Sequence, residues 1–206
     1  MNQRLLYLCG VFSAALFVST TILGGALRPG YSHIRDTISE LFSPSSPNKP
    51  LLDTLHTLSA ILAALFGLGV LLFVRGSGHS EMVGIVGAVL IIATGLVNIA
   101  TATVFPQDAW GSPATFPGEM HKILAGVLAL LSMASTLLLG IWLKRAAIFP
   151  GFGAYSFITF AIVLLTGGFA AARLGTPIMG LTERITIAAG MQWTIMLSLR
   201  IYSYGV

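Results

Sequence analysis

The chain has 206 residues, of which 55% are hydrophobic and only 9% are charged. A soluble domain carries about 25% charged residues, so this chain has too little charge to cover a water-facing surface, and its apolar residues come in long blocks rather than amphipathic stripes. Eleven Lys and Arg against seven Asp and Glu leave a formal charge of +4, with no basic run of the kind that binds nucleic acid; the composition excludes a water-soluble enzyme and points to a lipid bilayer as the solvent.

A helix crosses a bilayer core with about 20 apolar residues. Six blocks reach that length, at 5–27, 53–74, 82–104, 121–143, 154–174 and 184–204, and none has an acidic residue at its centre. The predicted architecture is therefore an all-α membrane protein, a bundle of six transmembrane helices forming one domain over 1–206. The first block resembles a signal peptide, because MNQR precedes it and Gly24, Gly25 and Ala26 end it. Its apolar region is too long for a cleaved signal, so it is expected to be a retained span. Cys9, the only cysteine, lies inside it and reads as a small buried apolar residue.

The connections are of two kinds. RGSGHSE (75–81) and KRAAIFPGFG (144–153) are short. Loop one (28–52), loop three (105–120) and loop five (175–182) are richer in polar residues, and six spans put all three on the same side. They are expected to build one polar face. Lys and Arg near the span ends are almost balanced between the two sides. Their higher density in the short segments favours cytoplasmic termini, an extracytoplasmic polar face and a multi-pass protein of the cell membrane.

Loop one opens with YSHIRDTISELFSPSSP (31–47), the most polar stretch of the chain. Asp36, Thr37 and Ser39 can each start a helical turn by capping free N–H groups. Ile34, Ile38, Leu41 and Phe42 recur at helical spacing, an apolar stripe that predicts an ordered segment. PSSPNKP (44–50) reads as a non-helical connector, with Asp53 as the cap of the second span.

Within the spans, Asp53 and His56 share a helix face, as do Thr94, Asn98 and Thr101. His121 opens span four, and Ser132 and Ser135 follow on about the same side. Glu183 and Arg184 open span six, with Gln192 near its middle. The span hydroxyls and amides read first as interhelical hydrogen-bond partners. Trp110, Trp142 and Trp193 read as interface or packing residues, and the many span glycines as sites of close helix approach. Arg35 with Asp36, and Glu183 with Arg184, read either as surface ion pairs or as parts of a site. Ionisable residues near lipid often mark function. Arg35, Ser39, Glu40, Asp53, His56, Asp108, His121, Glu183 and Arg184 are the candidate ligand-binding residues, converging under the three loops. His121 is expected to be hydrogen-bonded to Asp108 or Glu183. No HExxH, CxxC, GxSxG or phosphate loop is present, so neither a metal nor a cofactor is assigned.

The order of these features, with ISEL (38–41), FPQD (105–108), His121 and GLTERI (180–185), resembles the prokaryotic integral-membrane family known as domain of unknown function 998. In layout it is also similar to the six-span DRAM-like proteins, whose first loop has a comparable Ile-Ser-acidic stretch. The resemblance covers nearly the whole chain and implies a six-helix membrane protein without an assigned activity. The motif positions it carries over are Ser39, Glu40, Asp108, His121, Glu183 and Arg184.

Three functions follow as alternatives. The first is a protein surrounded by membrane lipids that binds a small polar molecule or a lipid headgroup in the extracytoplasmic pocket. Transport is one use of such a pocket, although no span carries a charge at its midplane. The second is a membrane-embedded lipid hydrolase or transferase using His121, Asp108 and Glu183. The third is a structural or assembly role.

Overall fold

The computed structural model describes residues 3–109 and 111–204, so Trp110 lies outside the described residues. Among the described residues there are six α-helices and no strand. They are α1 (Gln3–Leu27), α2 (Lys49–Gly76), α3 (Met82–Thr103), α4 (Phe116–Ala146), α5 (Phe152–Ala172) and α6 (Met179–Tyr204), with a 3₁₀ turn (Ser39–Phe42) between α1 and α2. Each α-helix packs on its neighbour in the chain, and α6 returns against α1. Helices α1 to α5 are long and apolar enough to cross a membrane. The shortest, α5, has 21 residues, about 32 Å at the α-helical rise. The sixth is as long but more polar.

Three helices start four or five residues before the sequence reading: α2, α4 and α6, the last at Met179 rather than at 184. α2 begins at Lys49 after an Asn48 cap, with Pro50 in its first turn, where the missing N–H and fixed φ cost nothing. PSSPNKP is thus not wholly outside the helix, and Asp53 is not a cap. One turn in, Asp53 takes an ion pair from Lys49 at 2.6 Å. α4 starts at Phe116, five residues early. Thr115 caps it by accepting the Gly118 N–H at 3.2 Å, and Pro117 is tolerated in the first turn.

Close helix crossings follow from the glycines. A Cβ on Gly95 of α3 would stand 2.7 Å from the Ala60 carbonyl oxygen of α2, and one on Gly67 would stand 2.7 Å from the Ile92 nitrogen. The main core joins Phe66, Val70 and Val74 of α2 with Leu139, Trp142 and Leu143 of α4 and Trp193 and Leu197 of α6. Both tryptophans are packing residues. Trp142 donates to the His79 carbonyl at 2.7 Å and Trp193 to the Ser156 hydroxyl at 2.9 Å, so neither buried N–H is left unpaired. Phe12, Ile22, Leu96, Leu130 and Leu165 face outward, as helices in contact with lipid require.

A second core sits under loop one. Ile38, Leu41 and Phe42 are buried against Leu52, and Leu41 and Leu52 press on Gly24 of α1. The loop is ordered, as its apolar stripe predicts, with one correction. Ile34 is 55% exposed. Its contribution is backbone, because its carbonyl accepts the Leu181 N–H at 2.9 Å.

Candidate functional site

The residues singled out in the sequence fall into three groups. The largest joins loop one to the start of α6. Gly180 and Leu181 donate their backbone N–H groups to the Arg35 and Ile34 carbonyls at 3.3 and 2.9 Å. These are the first free N–H groups of α6, which have no partner inside the helix. Glu183 accepts the Ile38 N–H at 2.7 Å, and Ile38 is the residue before the 3₁₀ turn. The turn is capped from α6, since the residue at its N-cap position makes no side-chain cap of its own. Arg184 donates to the carbonyls of His33, Asp36 and Gly180 at 2.8, 2.9 and 2.9 Å and to the Tyr31 hydroxyl at 2.5 Å. Tyr31 in turn donates to the Thr37 carbonyl at 2.8 Å. Burial pushes the Tyr31 hydroxyl up to about 12, so it keeps its proton for that bond. Gln107 of loop three reaches the Thr37 hydroxyl at 3.5 Å.

Beside this clasp lies a cleft of about 200 Å³, lined by Arg35, Asp36 and Glu40 of loop one and by Gly175, Thr176, Pro177 and Met179. Arg35 and Asp36 form an ion pair at 2.6 Å. That guanidinium, with the Ser32 N–H at 2.8 Å, holds the Asp36 carboxyl below its usual range. Glu40 is only 6% exposed. Burial, and after it the Asp36 charge, pushes its carboxyl up. Arg28 donates to the Glu40 backbone carbonyl and not to its carboxylate. Ser39 is half-buried at the start of the 3₁₀ turn, and its hydroxyl makes no hydrogen bond among the described residues.

The second group lies deeper, between α2, α3 and α4. His121 directs Nδ1 at the carbonyl oxygens of Thr101 and Phe105, at 3.2 and 2.9 Å. Carbonyls only accept, so Nδ1 carries the proton, and His121 caps the C-terminal end of α3. The expected bond to Asp108 or Glu183 is not formed. A helix end needs partners for its last carbonyls, and His121 meets that need. His56 is buried between the rings of Phe17 and Phe42, 5.7 and 4.8 Å away, beside Asn98 and within electrostatic reach of Asp53 and His121. Its Nδ1 has no hydrogen-bond partner among the described residues, and neither has Asp53 Oδ1. The other Asp53 oxygen holds Lys49, which also donates to the Ala102 carbonyl at 3.3 Å.

Asp108 stands apart from both groups. It accepts the Thr115 N–H and hydroxyl at 2.9 and 2.6 Å, which orders the turn into α4 and holds its carboxyl low. Among the described residues, no group of three or more His, Cys, Asp or Glu side chains is placed to hold a metal ion. The nine candidates thus divide as Arg35, Glu40, Glu183 and Arg184 around the loop-one clasp and cleft, Asp53, His56 and His121 beneath, and Asp108 and Ser39 in local roles.

The family model described as "Protein of unknown function (DUF998)" matches residues 11–200. The chain belongs to this family. No curated protein and no solved structure matches it. In this DUF998 protein the ISEL and GLTERI stretches are two halves of one structure. Ile38 and Glu183 are directly bonded, and Gly180 is the residue that lets the two backbones touch, because a Cβ there would overlap the Asp36 carbonyl. Its long apolar helices make the DUF998 chain a multi-pass membrane protein. Tyr31, Lys49 and Thr115 escaped the sequence reading, as did the contact of Thr37 with Gln107 and the use of Asn98 beside His56. Their only signal was a hydroxyl, amide or ammonium near a span end, which is too common to single out.

Proposed function

We propose that this DUF998 chain is a six-span protein of the cell membrane, one domain over 1–206, with cytoplasmic termini. It binds a small polar ligand, free or as a lipid headgroup, in the cleft between loops one and five on the extracytoplasmic side. The observation that carries the reading is Glu40. It is a nine-tenths-buried acidic residue lining a cleft whose wall is tied to α6 by hydrogen bonds. Buried carboxylates are costly unless paired, and sites with few, fixed polar groups favour small ligands.

A sixth span is supported by the way α6 satisfies its polar groups. Thr182, Thr186 and Thr194 bond back to the carbonyls of Met179, Thr182 and Gly190. Gln192 is held by Tyr155 and Thr159. Groups bonded in this way are tolerated in lipid. The hydrolase or transferase reading would need His121, Asp108 and Glu183 around one reacting atom, whereas each is engaged with a separate partner.

The reading is tested by a thermal-shift series on the purified full chain in detergent. The probes are ethanolamine, phosphoethanolamine, acetate and inorganic phosphate. Thr176→Phe, which fills the cleft, is the control. Saturable stabilisation by at least one probe, absent in Thr176→Phe, is the expected result. No shift with any of the four, or an equal shift in Thr176→Phe, discards the polar-ligand reading.

A further inference from the structure

The cleft between loops one and five is built for one sign of charge. Three ionisable residues line it: Arg35, Asp36 and Glu40. Arg35 directs Nε and Nη2 at Asp36, at 2.6 and 2.9 Å, and Nη2 also at the Gly30 carbonyl at 2.9 Å, which neutralises that pair. The other two cations within reach are committed to carbonyls and a phenol. Arg28 bonds the Glu40 backbone oxygen. Arg184 bonds three loop-one and α6 carbonyls and Tyr31. The Glu40 carboxylate therefore receives no hydrogen bond from any described residue, although Glu40 is only 6% exposed. An acceptor in that position is open to a donor that enters the cleft.

The opposite wall narrows the class of ligand. Gly175, Thr176, Pro177 and Met179 bring no charge and no aromatic ring. Quaternary ammonium groups are held by aromatic faces, and none is present. A lone carboxylate instead accepts N–H donors, with charge-assisted bonds about twice as strong as neutral ones. The volume of about 200 Å³ is below the roughly 300–1,000 Å³ of sites for drug-sized ligands. It suits a head of a few heavy atoms.

Resting on the polar-ligand reading above, we propose that the cleft recognises a primary ammonium group, whose N–H bonds are accepted by the Glu40 carboxylate. The same chemistry is carried by a free small amine and by the ethanolamine headgroup of a phospholipid.

The test is calorimetric titration of the full chain in detergent with ethanolamine, tetramethylammonium, acetate and inorganic phosphate. A parallel arm compares nanodiscs of phosphatidylethanolamine and phosphatidylcholine. Ethanolamine is expected to bind saturably, and tetramethylammonium at least tenfold more weakly. Glu40→Gln, which keeps shape and removes charge, should weaken ethanolamine binding at least tenfold. Thr176→Lys, which leaves Glu40 in place but puts an ammonium on the facing wall, should do the same. Loss of free-ethanolamine binding in phosphatidylethanolamine nanodiscs, and not in phosphatidylcholine ones, identifies the lipid as the source of the group. Retention in both identifies a free amine. The ammonium assignment is overturned if Glu40→Gln binds ethanolamine as tightly as the parent chain. It is also overturned if acetate or phosphate binds where ethanolamine does not, an outcome that leaves the polar-ligand reading standing.

Discussion

Glu183 in the first turns of α6 accepts the backbone N–H of Ile38 at 2.7 Å, across 145 residues of chain. With the N–H groups of Gly180 and Leu181 bonded to Arg35 and Ile34, this turns loop one from a connector into part of the helical assembly. Glu183→Ala should leave the Ile38 N–H without its partner. The expected loss is about 1–3 kcal/mol of stability, read as a lower Tm in detergent. Faster hydrogen exchange over 34–42 should accompany it. Glu183→Gln keeps an acceptor and should fall between. Exchange over 34–42 unchanged in Glu183→Ala would show that the loop is held by its apolar contacts alone.

Gly180 and Gly168 make a matched pair. A methyl at Gly180 meets the Asp36 backbone, which cannot move without breaking the Arg184 bonds, whereas nothing lies within 4 Å of one at Gly168. Gly180→Ala should destabilise by about 1–3 kcal/mol through overpacking. Gly168→Ala, in mid-helix, should stabilise by about 0.5–1 kcal/mol. Melting of the two variants in the same detergent checks both signs.

His121 ties the end of α3 to α4 by its Nδ1–H, while His79 contributes backbone groups, its carbonyl to Trp142 and its N–H to Ser77. His121→Ala should lower stability by about 1–3 kcal/mol, and His79→Ala should be nearly neutral. Equal Tm values for the two would remove the capping role of His121.

Glu40 gives a pH signature. Its carboxyl is pushed up by burial first and by Asp36 second, against the smaller downward pull of Arg28 and Arg35. A raised carboxyl stabilises the fold when protonated, below its unfolded value of about 4.3, and that contribution is lost as pH rises through the folded value. Glu40→Gln, neutral at every pH, should therefore melt above the parent chain at pH 7. The difference should shrink as pH falls toward 4. A variant that melts lower at pH 7 would mean that the charge is compensated in the fold.

The proposed six-span topology predicts opposite accessibility for two sets of engineered cysteines in a Cys9→Ala background. Ser45→Cys in loop one and Ser112→Cys in loop three should react with an impermeant reagent from outside. Ser80→Cys in the α2–α3 connection should react only after the cytoplasmic side is opened. Labelling of Ser45→Cys and Ser112→Cys from different sides would break the helix count.

Sequence alone determined the solvent and the elements. Blocks of about 20 apolar residues with so few charges have no stable place but a bilayer, because backbone polar groups in lipid must be satisfied within helices. The stripe of Ile38, Leu41 and Phe42 likewise made an ordered loop one legible, and the short motifs marked Glu40, His121, Glu183 and Arg184. Tertiary structure decided what those residues do. Periodicity reports which face of a segment is apolar, but it is blind to partners far away in the chain. It could not show that the 3₁₀ turn at Ser39 borrows its cap from Glu183, or that the partner of His121 is the end of α3. Nor could it separate Arg184, whose donors are directed at the protein's own carbonyls and Tyr31, from Glu40, whose carboxylate has none directed at it. Hydrogen bonding acts over about 3 Å, and only the folded chain brings residues 38 and 183 to that distance.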